Sequence, residues 1–596
     1  MDPATHEEWI RKQRTILAVV GLLFGILFLR LFHIQINNAA DYTTASEDNR
    51  IQHKRVKALR GLILDSEGHV LAGNRASYTI FLTRSTPERD SLAVAALEEA
   101  IGSSVQYAPT KAPRVRLKRD VDFKTVCVVD ERLRDEWNLD IVIEPQRNYP
   151  YGPLVAHLLG YMGEMQESDL SAPHAKRYET GDYVGKTGIE KVYEENLRGV
   201  DGVRYIEVDV LRRIKNDFPY PEKDKTPLSG NDLALTLDLA VQQAAESALP
   251  DTLAGSVVAL NAQTGAVLAM VSKPSFDPNA FVSFQAQDER RRLLQGDSGE
   301  PMLNRSTKGT YPPGSTLKLI AAVAALEAGI TDTLSTFEAC AGSLAVGDVV
   351  FRCAKREGHG ELNLLEAVEV SCNIYFNHLA KALGVEAWNQ TAHDFGFGQP
   401  TGIRLDPSEK VGLLPDRHYY SDRGGWVGGH LMNLVIGQGD MLATPLQMAR
   451  YTAALGNGGY LVTPHLSGSV PPREKVKNVS PATLDITKKS MYRVVQGEKG
   501  TGRRARIPGV DIGGKSGTAQ VNHRPDDDAW FIAFAPYEEP EIAVAVVIES
   551  GGAGGSHAGP VARRVIEAYL KSSGYDLSNT TVATPRAPTA ESDTSL

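Results

Sequence analysis

Apolar and polar positions alternate in three different textures along this chain. Residues 15–29, TILAVVGLLFGILFL, form an unbroken uncharged run, and LFHIQI carries it past Arg30 to Ile36. Those 22 residues match the roughly 20 that a bilayer-spanning helix needs. Arg30 and His33 lie near the far end, where long polar side chains reach the interface. Between 37 and 230 the pattern is mixed. GLILDSEGHVLAGN (61–74) and VRYIEVDV (203–210) alternate or end in Gly and Asp turns, and read as short strands. TVCVVD, around Cys127, also reads as a strand with a buried, inert thiol.

After the proline- and charge-rich KNDFPYPEKDKTPLSGND (215–232) the texture changes, which predicts a domain boundary. LALTLDLAVQQAAESAL combines a short strand with an amphipathic helix. GSVVALNAQTGAVLAMVS (255–272) reads as a β-hairpin around an Asn/Gly turn. Helical periodicity marks LKLIAAVAALEAGI (317–330) and LLEAVEV (364–370). AWFIAFAP (529–536) and EIAVAVVIES (541–550) are apolar strands, followed by a helix in PVARRVIEAYLK. Strands at both ends with helices between predict an α/β layered domain whose sheet joins sequence-distant strands. Residues 573–596, rich in Ser, Thr, Pro and Ala, read as disordered.

Composition narrows the class. The 596 residues allow more than one domain, and 42% apolar with 23% charged content is ordinary for a folded protein. The net charge of -9 argues against a nucleic-acid footprint. Four cysteines are too few for a disulfide scaffold. Arg11, Lys12 and Arg14 precede the apolar run, so the positive-inside rule predicts an uncleaved anchor with a cytoplasmic N-terminus and the remainder outside. The competing signal-peptide reading has only Ala39-Ala40 as a cleavage site.

The chemistry begins at YPPGSTLK (311–318). Chain-breaking Pro312, Pro313 and Gly314 place Ser315 near a helix N-terminus, with Lys318 one turn on along the same face. A serine needs a neighbour to take its proton, and a desolvated lysine serves. This pairing alone is a weak signal, because exposed helices often carry it as a solvated pair. Ser371-Cys372-Asn373 lies 56 residues downstream of Ser315, and Lys515-Ser516-Gly517 a further 144. S-x-x-K, S-x-N and K-[ST]-G in that order are the signature of penicillin-recognising serine acyltransferases. Lys186-Thr187-Gly188 and the segment GELN (360–363) imitate parts of such signatures in the wrong order.

The chain resembles class B penicillin-binding proteins, and within them the elongation-type penicillin-binding protein 2. Besides the three motifs, the resemblance rests on RGLILDSEGHVLAGN, HLLGYMGEM, GKTGIEKVYEENLRG, SKPSFDPNAFV, NRSTKGTYPPGSTLK and IGQGDMLATPLQMA. It departs at Asp65-Ser66, where the family often has Asp-Arg, at Asn373, where many members have aspartate, and in K-S-G for K-T-G. The resemblance implies an N-terminal transmembrane helix (15–36) after a short cytoplasmic tail (1–14). It further implies a mixed α+β pedestal or dimerisation-type domain (37–230) and an α/β serine β-lactamase-like transpeptidase domain (231–572). The implied activity is peptidoglycan D,D-transpeptidation, within the serine D-Ala-D-Ala transpeptidase/carboxypeptidase class.

By that resemblance Ser315 is the nucleophile, Lys318 its base, Ser371 a proton relay and Asn373 a substrate-amide partner. Lys515, Ser516 and Thr518 bind the substrate carboxylate, Gly517 lets the substrate backbone approach, and the N–H groups of Ser315 and Thr518 hold the oxyanion. The chemistry needs no cofactor. The implied setting is the bacterial inner membrane with the catalytic domain in the periplasm. The implied partners are stem peptides, β-lactams, a SEDS-type glycan polymerase and rod-shape scaffold proteins. A β-lactamase-like hydrolase would need a water-activating base that the sequence does not place. A membrane-tethered β-lactam sensor would need a cytoplasmic effector domain, which is not seen.

The three motifs leave a cluster of cysteines unexplained. Cys340, Cys353, His359 and Cys372 fall within 33 residues of a cysteine-poor chain. Three readings compete: a Cys340–Cys353 disulfide, unligated core thiols, or a structural Zn2+ site of three thiolates and one imidazole. The zinc reading uses all four residues, with Asp348, Glu338 and His378 as substitute ligands. It also places a metal behind the S-x-N element, because Cys372 lies between Ser371 and Asn373.

Overall fold

The computed structural model describes residues 3–577, apart from 39–50, 108–113, 134–136, 167–177, 179–181, 209–213, 218–220, 297–298, 406–408 and a few single positions. The expected tail disorder therefore falls, for residues 578–596, outside the described residues. The chain divides into two compact units whose segments interleave. The smaller holds Met1–Leu59, Ala76–Pro145 and Gly199–Gly230; the larger holds Arg60–Arg75, Gln146–Arg198 and Asn231–Leu596.

The smaller unit begins with the helix Pro3–Phe32, continued by the π-helical turn His33–Asn37. The apolar stretch within Glu8–Ile36 is unburied, and by length and composition it can cross a membrane. Ile51–Val56 pairs antiparallel with Gly202–Val208, which pairs with Ile214–Asp217. TVCVVD is not a strand. It lies in the helix Phe123–Arg132, where Asp122 caps the N-terminus through the Thr125 N–H, and Cys127 is exposed rather than buried. A side-chain cap of this kind outweighs the β-propensity of three valines.

The larger unit carries the three motifs. Among its elements, in order, are α1 (Leu239–Ala248), β1 (Gly255–Asn261), β2 (Val267–Lys273), α2 (Lys318–Glu327), β3 (Ser343–Val346), β4 (Val349–Arg352), α3 (Leu364–Glu369), α4 (Asn373–Leu383), α5 (Gly428–Leu434), α6 (Pro445–Gly456), α7 (Pro481–Gln496), β5 (Gly513–Ala519), β6 (Asp528–Ala535), β7 (Ile542–Ile548) and α8 (Gly554–Ser572). β1, β2, β5, β6 and β7 form an antiparallel sheet in the order β2-β1-β7-β6-β5. β1 pairs with β7, with Val257 opposite Val546, so the sheet does join strands nearly 300 residues apart.

Both faces of this sheet are covered, which explains apolar runs in place of strict alternation. Ala529, Phe531, Ala533, Val544 and Val546 pack with Val241 and Ala245 of α1 and Val561, Val565 and Ile566 of α8. Trp530, Ile532, Phe534, Ala545 and Val547 belong to the core that holds Leu446, Met448 and Ala449 of α6 and Met491 and Val494 of α7. Among the described residues β5 pairs with β6 alone, which leaves its other edge open. α2, α3 and α4 supply Ile320, Val323, Ala367, Val368, Phe376 and Leu379 to the same core.

Candidate active site

Ser315 lies in a 3-10 turn, Gly314–Leu317, that runs directly into α2, so Lys318 opens the helix. The fit to the sheet edge is tight. A Cβ on Gly314, whose φ is +58°, would stand 2.8 Å from the Thr518 carbonyl oxygen. A Cβ on Gly437, with φ +69°, would stand 2.0 Å from the Gly314 carbonyl oxygen. Glycine is required at both, sterically and for its left-handed backbone. The Gly314 N–H donates to the Gly437 carbonyl at 2.9 Å.

Lys318 is wholly buried. Its ammonium donates to the Ser371 carbonyl (2.7 Å), to Ser371 Oγ (3.2 Å) and to Asn373 Oδ1 (2.7 Å). Burial lowers its pKa from 10.5 to about 8, with Cys372 and Cys353 behind it pulling the other way. None of the described residues hydrogen-bonds to Ser315 Oγ, so the three ammonium protons are committed to the S-x-N element. Such contacts tighten when substrate arrives. Lys515, also wholly buried, donates to Ser371 Oγ at 2.9 Å and to the Ser516 carbonyl at 2.8 Å. Burial, then the nearby charge of Lys318, hold Lys515 well below the usual lysine range. Ser371 thus sits between two lysines. It has φ +55°, unusual for a residue with a side chain, at the turn between α3 and α4. Strain of this kind costs about 1–3 kcal/mol and gathers at functional sites.

β5 presents the other wall. The Thr518 carbonyl accepts from Gln438 Nε2 at 3.3 Å, so it points away from β6. In an antiparallel strand the N–H and C=O of one residue share a side, so the Thr518 N–H also faces the cleft. Ser516 donates to Thr501 Oγ1 at 2.7 Å, and Thr518 Oγ1 accepts from the Gly554 N–H at 3.4 Å. Gly517 lies against Pro313, Thr316 and Trp530, each 3.0 Å from where a Cβ would stand. The structure therefore brings Ser315, Lys318, Ser371, Asn373, Lys515, Ser516, Gly517 and Thr518 to one cleft. Lys186-Thr187-Gly188 instead joins a short strand to the helix Gly188–Val192.

Cys340, Cys353, His359 and Cys372 place their ligand atoms within 4.8 Å of one another. His359 Nδ1 is 3.4 Å from Cys353 Sγ and 3.8 Å from Cys340 Sγ, and the Cys353 and Cys372 sulfurs are 3.9 Å apart. All four cysteines are free, so the Cys340–Cys353 disulfide is not formed. Glu338, Asp348 and His378 lie outside the cluster. The Cys353 and Cys372 thiols share a hydrogen bond. That contact, with backbone N–H groups and His359, draws the Cys353 pKa down to about 4 against burial and pushes that of Cys372 up. The cluster touches the motif residues directly, because Asn373 Nδ2 donates to the carbonyl of Arg352, the neighbour of Cys353, at 3.0 Å.

The sequence profile described as "Penicillin binding protein transpeptidase domain" matches residues 255–567. The chain belongs to the penicillin-binding protein transpeptidases. A second profile of the family, "Penicillin-binding Protein dimerisation domain", matches residues 55–235. Peptidoglycan D,D-transpeptidase MrdA of Haemophilus influenzae is 33% identical over 618 residues, spanning 95% of this chain and 94% of that protein. The Helicobacter pylori penicillin-binding protein PBP2, solved in complex with MreC, has a TM-score of 0.77 at 28% identity and covers 88% of this chain and 99% of its own. A chain from "Structural coordination of polymerization and crosslinking by a peptidoglycan synthase complex" has a TM-score of 0.72 at 30% identity, covering 94% and 98%. This penicillin-binding protein is accordingly a serine-type peptidoglycan D,D-transpeptidase.

Sequence reasoning missed three contributors to this cleft: Arg352, Gln438 and Thr501. Arg352 acts through its carbonyl, which leaves no mark in sequence. Gln438 and its neighbour Gly437 lie in IGQGDMLATPLQMA, a segment that carries the family resemblance without marking either residue.

Proposed function

We propose that this transpeptidase cross-links stem peptides during cell elongation, with Ser315 as nucleophile. Neutral Lys318 takes the Ser315 proton as Oγ attacks the carbonyl between the two terminal D-alanines. The N–H groups of Ser315 and Thr518 hold the tetrahedral oxyanion, and holding that charge does most to lower the barrier to acyl transfer. The C–N bond then breaks. The departing D-alanine amine takes a proton from Ser371, which is resupplied from Lys318 and Lys515. An amine of a second stem peptide attacks the acyl-enzyme, loses a proton by the reverse path, and frees Ser315. Asn373 orients the donor amide. Lys515, Ser516 and Thr518 bind the donor carboxylate, and the donor backbone lies along the open edge of β5. β-Lactams acylate Ser315 in place of the donor.

The observation that carries this reading is Ser371 Oγ within reach of both lysines, at 3.2 and 2.9 Å. The test pairs a fluorescent penicillin with purified stem-peptide dimer formation. Label on Ser315 and dimer formation, both absent in Ser315→Ala, are expected. Rapid release of hydrolysed antibiotic without dimer formation would overturn the reading.

The cysteine cluster is proposed as a structural Zn2+ site. Ligands about 2.3 Å (S) and 2.0–2.1 Å (N) from a tetrahedral ion stand about 3.8 Å apart for two sulfurs and about 3.5 Å for sulfur and nitrogen. The spacings of 3.9, 3.4 and 3.8 Å fit those edges. The ion would add rigidity behind Asn373. The helix Pro3–Phe32 is proposed as a single-pass inner-membrane anchor, with Arg11, Lys12 and Arg14 cytoplasmic and the catalytic unit periplasmic. The pedestal (37–230), transpeptidase (231–572) and tail boundaries remain part of this proposal. A SEDS-type polymerase and a rod-shape scaffold protein are the proposed partners. The neighbours solved with MreC and in a peptidoglycan synthase complex support that choice.

A further inference from the structure

Glu369 ends α3, two residues before Ser371, and its side chain is only 5% exposed. It makes contacts in three directions. Oε2 accepts from Arg493 of α7 through Nε (2.7 Å) and Nη2 (2.6 Å). Oε1 accepts from the Lys499 N–H at 3.2 Å. Its main-chain carbonyl, one of the unpaired acceptors at a helix C-terminus, accepts from the Thr501 N–H at 3.3 Å. A Cβ on Gly497 would fall 2.4 Å from Oε1, so the surrounding loop is shaped to this carboxylate.

These contacts close a ring. Thr501 Oγ1 accepts from Ser516 Oγ (2.7 Å), Ser516 adjoins Lys515, and Lys515 Nζ reaches Ser371 Oγ (2.9 Å), two residues from Glu369 again. The ring spans the two parts of the active site: the turn carrying Ser371 on one side, and the open sheet edge with its adjoining loop on the other. The Ser371–Lys515 hydrogen bond is one link, and Glu369 supplies the opposite one. An almost buried carboxylate is a poor device for stability alone, because its desolvation offsets most of its ion-pair energy. It is a good device for fixing a distance, since a planar guanidinium and the Lys499 N–H define the place of the carboxylate, and the Thr501 N–H holds the main-chain carbonyl of the same residue.

We propose that Glu369 is a positioning residue that holds Ser371 within hydrogen-bond reach of Lys515. It acts on catalysis through the proton path and touches no substrate. This rests on the role of Ser371 and Lys515 proposed above.

The test measures the Ser315 acylation rate constant, separately from the non-covalent binding constant, with a fluorescent penicillin on the full chain in detergent. Variants are Glu369→Gln, Arg493→Gln, Ser371→Ala, Lys515→Ala and the double variant Glu369→Gln/Ser371→Ala. Glu369→Gln is expected to slow acylation at least tenfold with non-covalent binding within about twofold. In the Ser371→Ala background the same change is expected to cost less than twofold, because the group it positions is gone. Multiplicative losses in the double variant would show a merely structural effect and overturn the proposal. If Glu369→Gln fails to fold, Arg493→Gln carries the same prediction from the other partner. Normal acylation in Glu369→Gln beside slow Lys515→Ala sinks the positioning role alone. Normal acylation in Lys515→Ala sinks the proton path itself, and the positioning role with it.

Discussion

At the scale of the residue, burial decides what Lys318 can do. Wholly buried, it sits near pKa 8 instead of 10.5, so about a tenth is neutral at pH 7. Only the neutral amine can accept the Ser315 proton. Acylation should therefore rise about tenfold per pH unit below 8 and level off above it. Stopped-flow acylation between pH 6 and 9 checks this, and a flat profile would remove Lys318 as base. Gly437 makes a second prediction. Gly437→Ala brings a methyl to 2.0 Å from the Gly314 carbonyl in a left-handed backbone, so acylation should fall more than tenfold and the melting temperature should drop by several degrees. Ser315, Lys318, Ser371, Asn373 and Lys515 were legible as residue types at recognisable spacings. Glu369 and Thr501 were not. Their importance is a matter of which chain segments meet, and a single glutamate near a helix end carries no spacing signal.

At the scale of the element, side chains outside the cleft also make strong statements. Arg60, Arg147, Glu190 and Glu194 form a buried network in the larger unit, with Glu190 wholly buried between the two guanidiniums. Glu190→Gln leaves those cations short of a partner and should destabilise by about 3–5 kcal/mol, read from the urea midpoint. The cysteine cluster gives a cleaner test, because β4 joins it to Asn373 through Arg352. One zinc per chain is expected in protein purified without chelator. Its removal, or Cys353→Ser, should lower thermal stability and Ser315 acylation together. Metal-free protein with a Cys340–Cys353 bridge would end the zinc reading. Apolar runs placed β1, β2, β6 and β7 correctly because strands buried on both faces leave nothing else to write. TVCVVD deceived for the same reason. Its valines are strand-formers, and the capping contact from Asp122 shows only in the fold.

At the scale of the whole molecule, domains do not follow the order of the chain. The linker composition at 215–232 marks one change of unit, between Gly230 and Asn231. The returns at Arg60 and Gln146 are invisible in composition, because those segments bury ordinary apolar residues in the larger unit. The N-terminal helix is a separate matter. Deleting residues 1–36 should move the protein from the membrane pellet to the supernatant and leave penicillin acylation within about twofold. Loss of acylation in that truncation would show that the anchor does more than tether.

The pairing of β1 with β7 has a consequence in time. Ser315 leaves the ribosome well before Lys515, and β7, the strand that locks β1 in place, follows later still. Long-range pairing of this kind forms slowly and only once both partners exist. A chain halted midway through synthesis carries Ser315 without Lys515 or the sheet edge beside it. Such a nascent chain should take no label from a fluorescent penicillin. Penicillin labelling of arrested chains against full-length ones checks this, and the label should count completed molecules only.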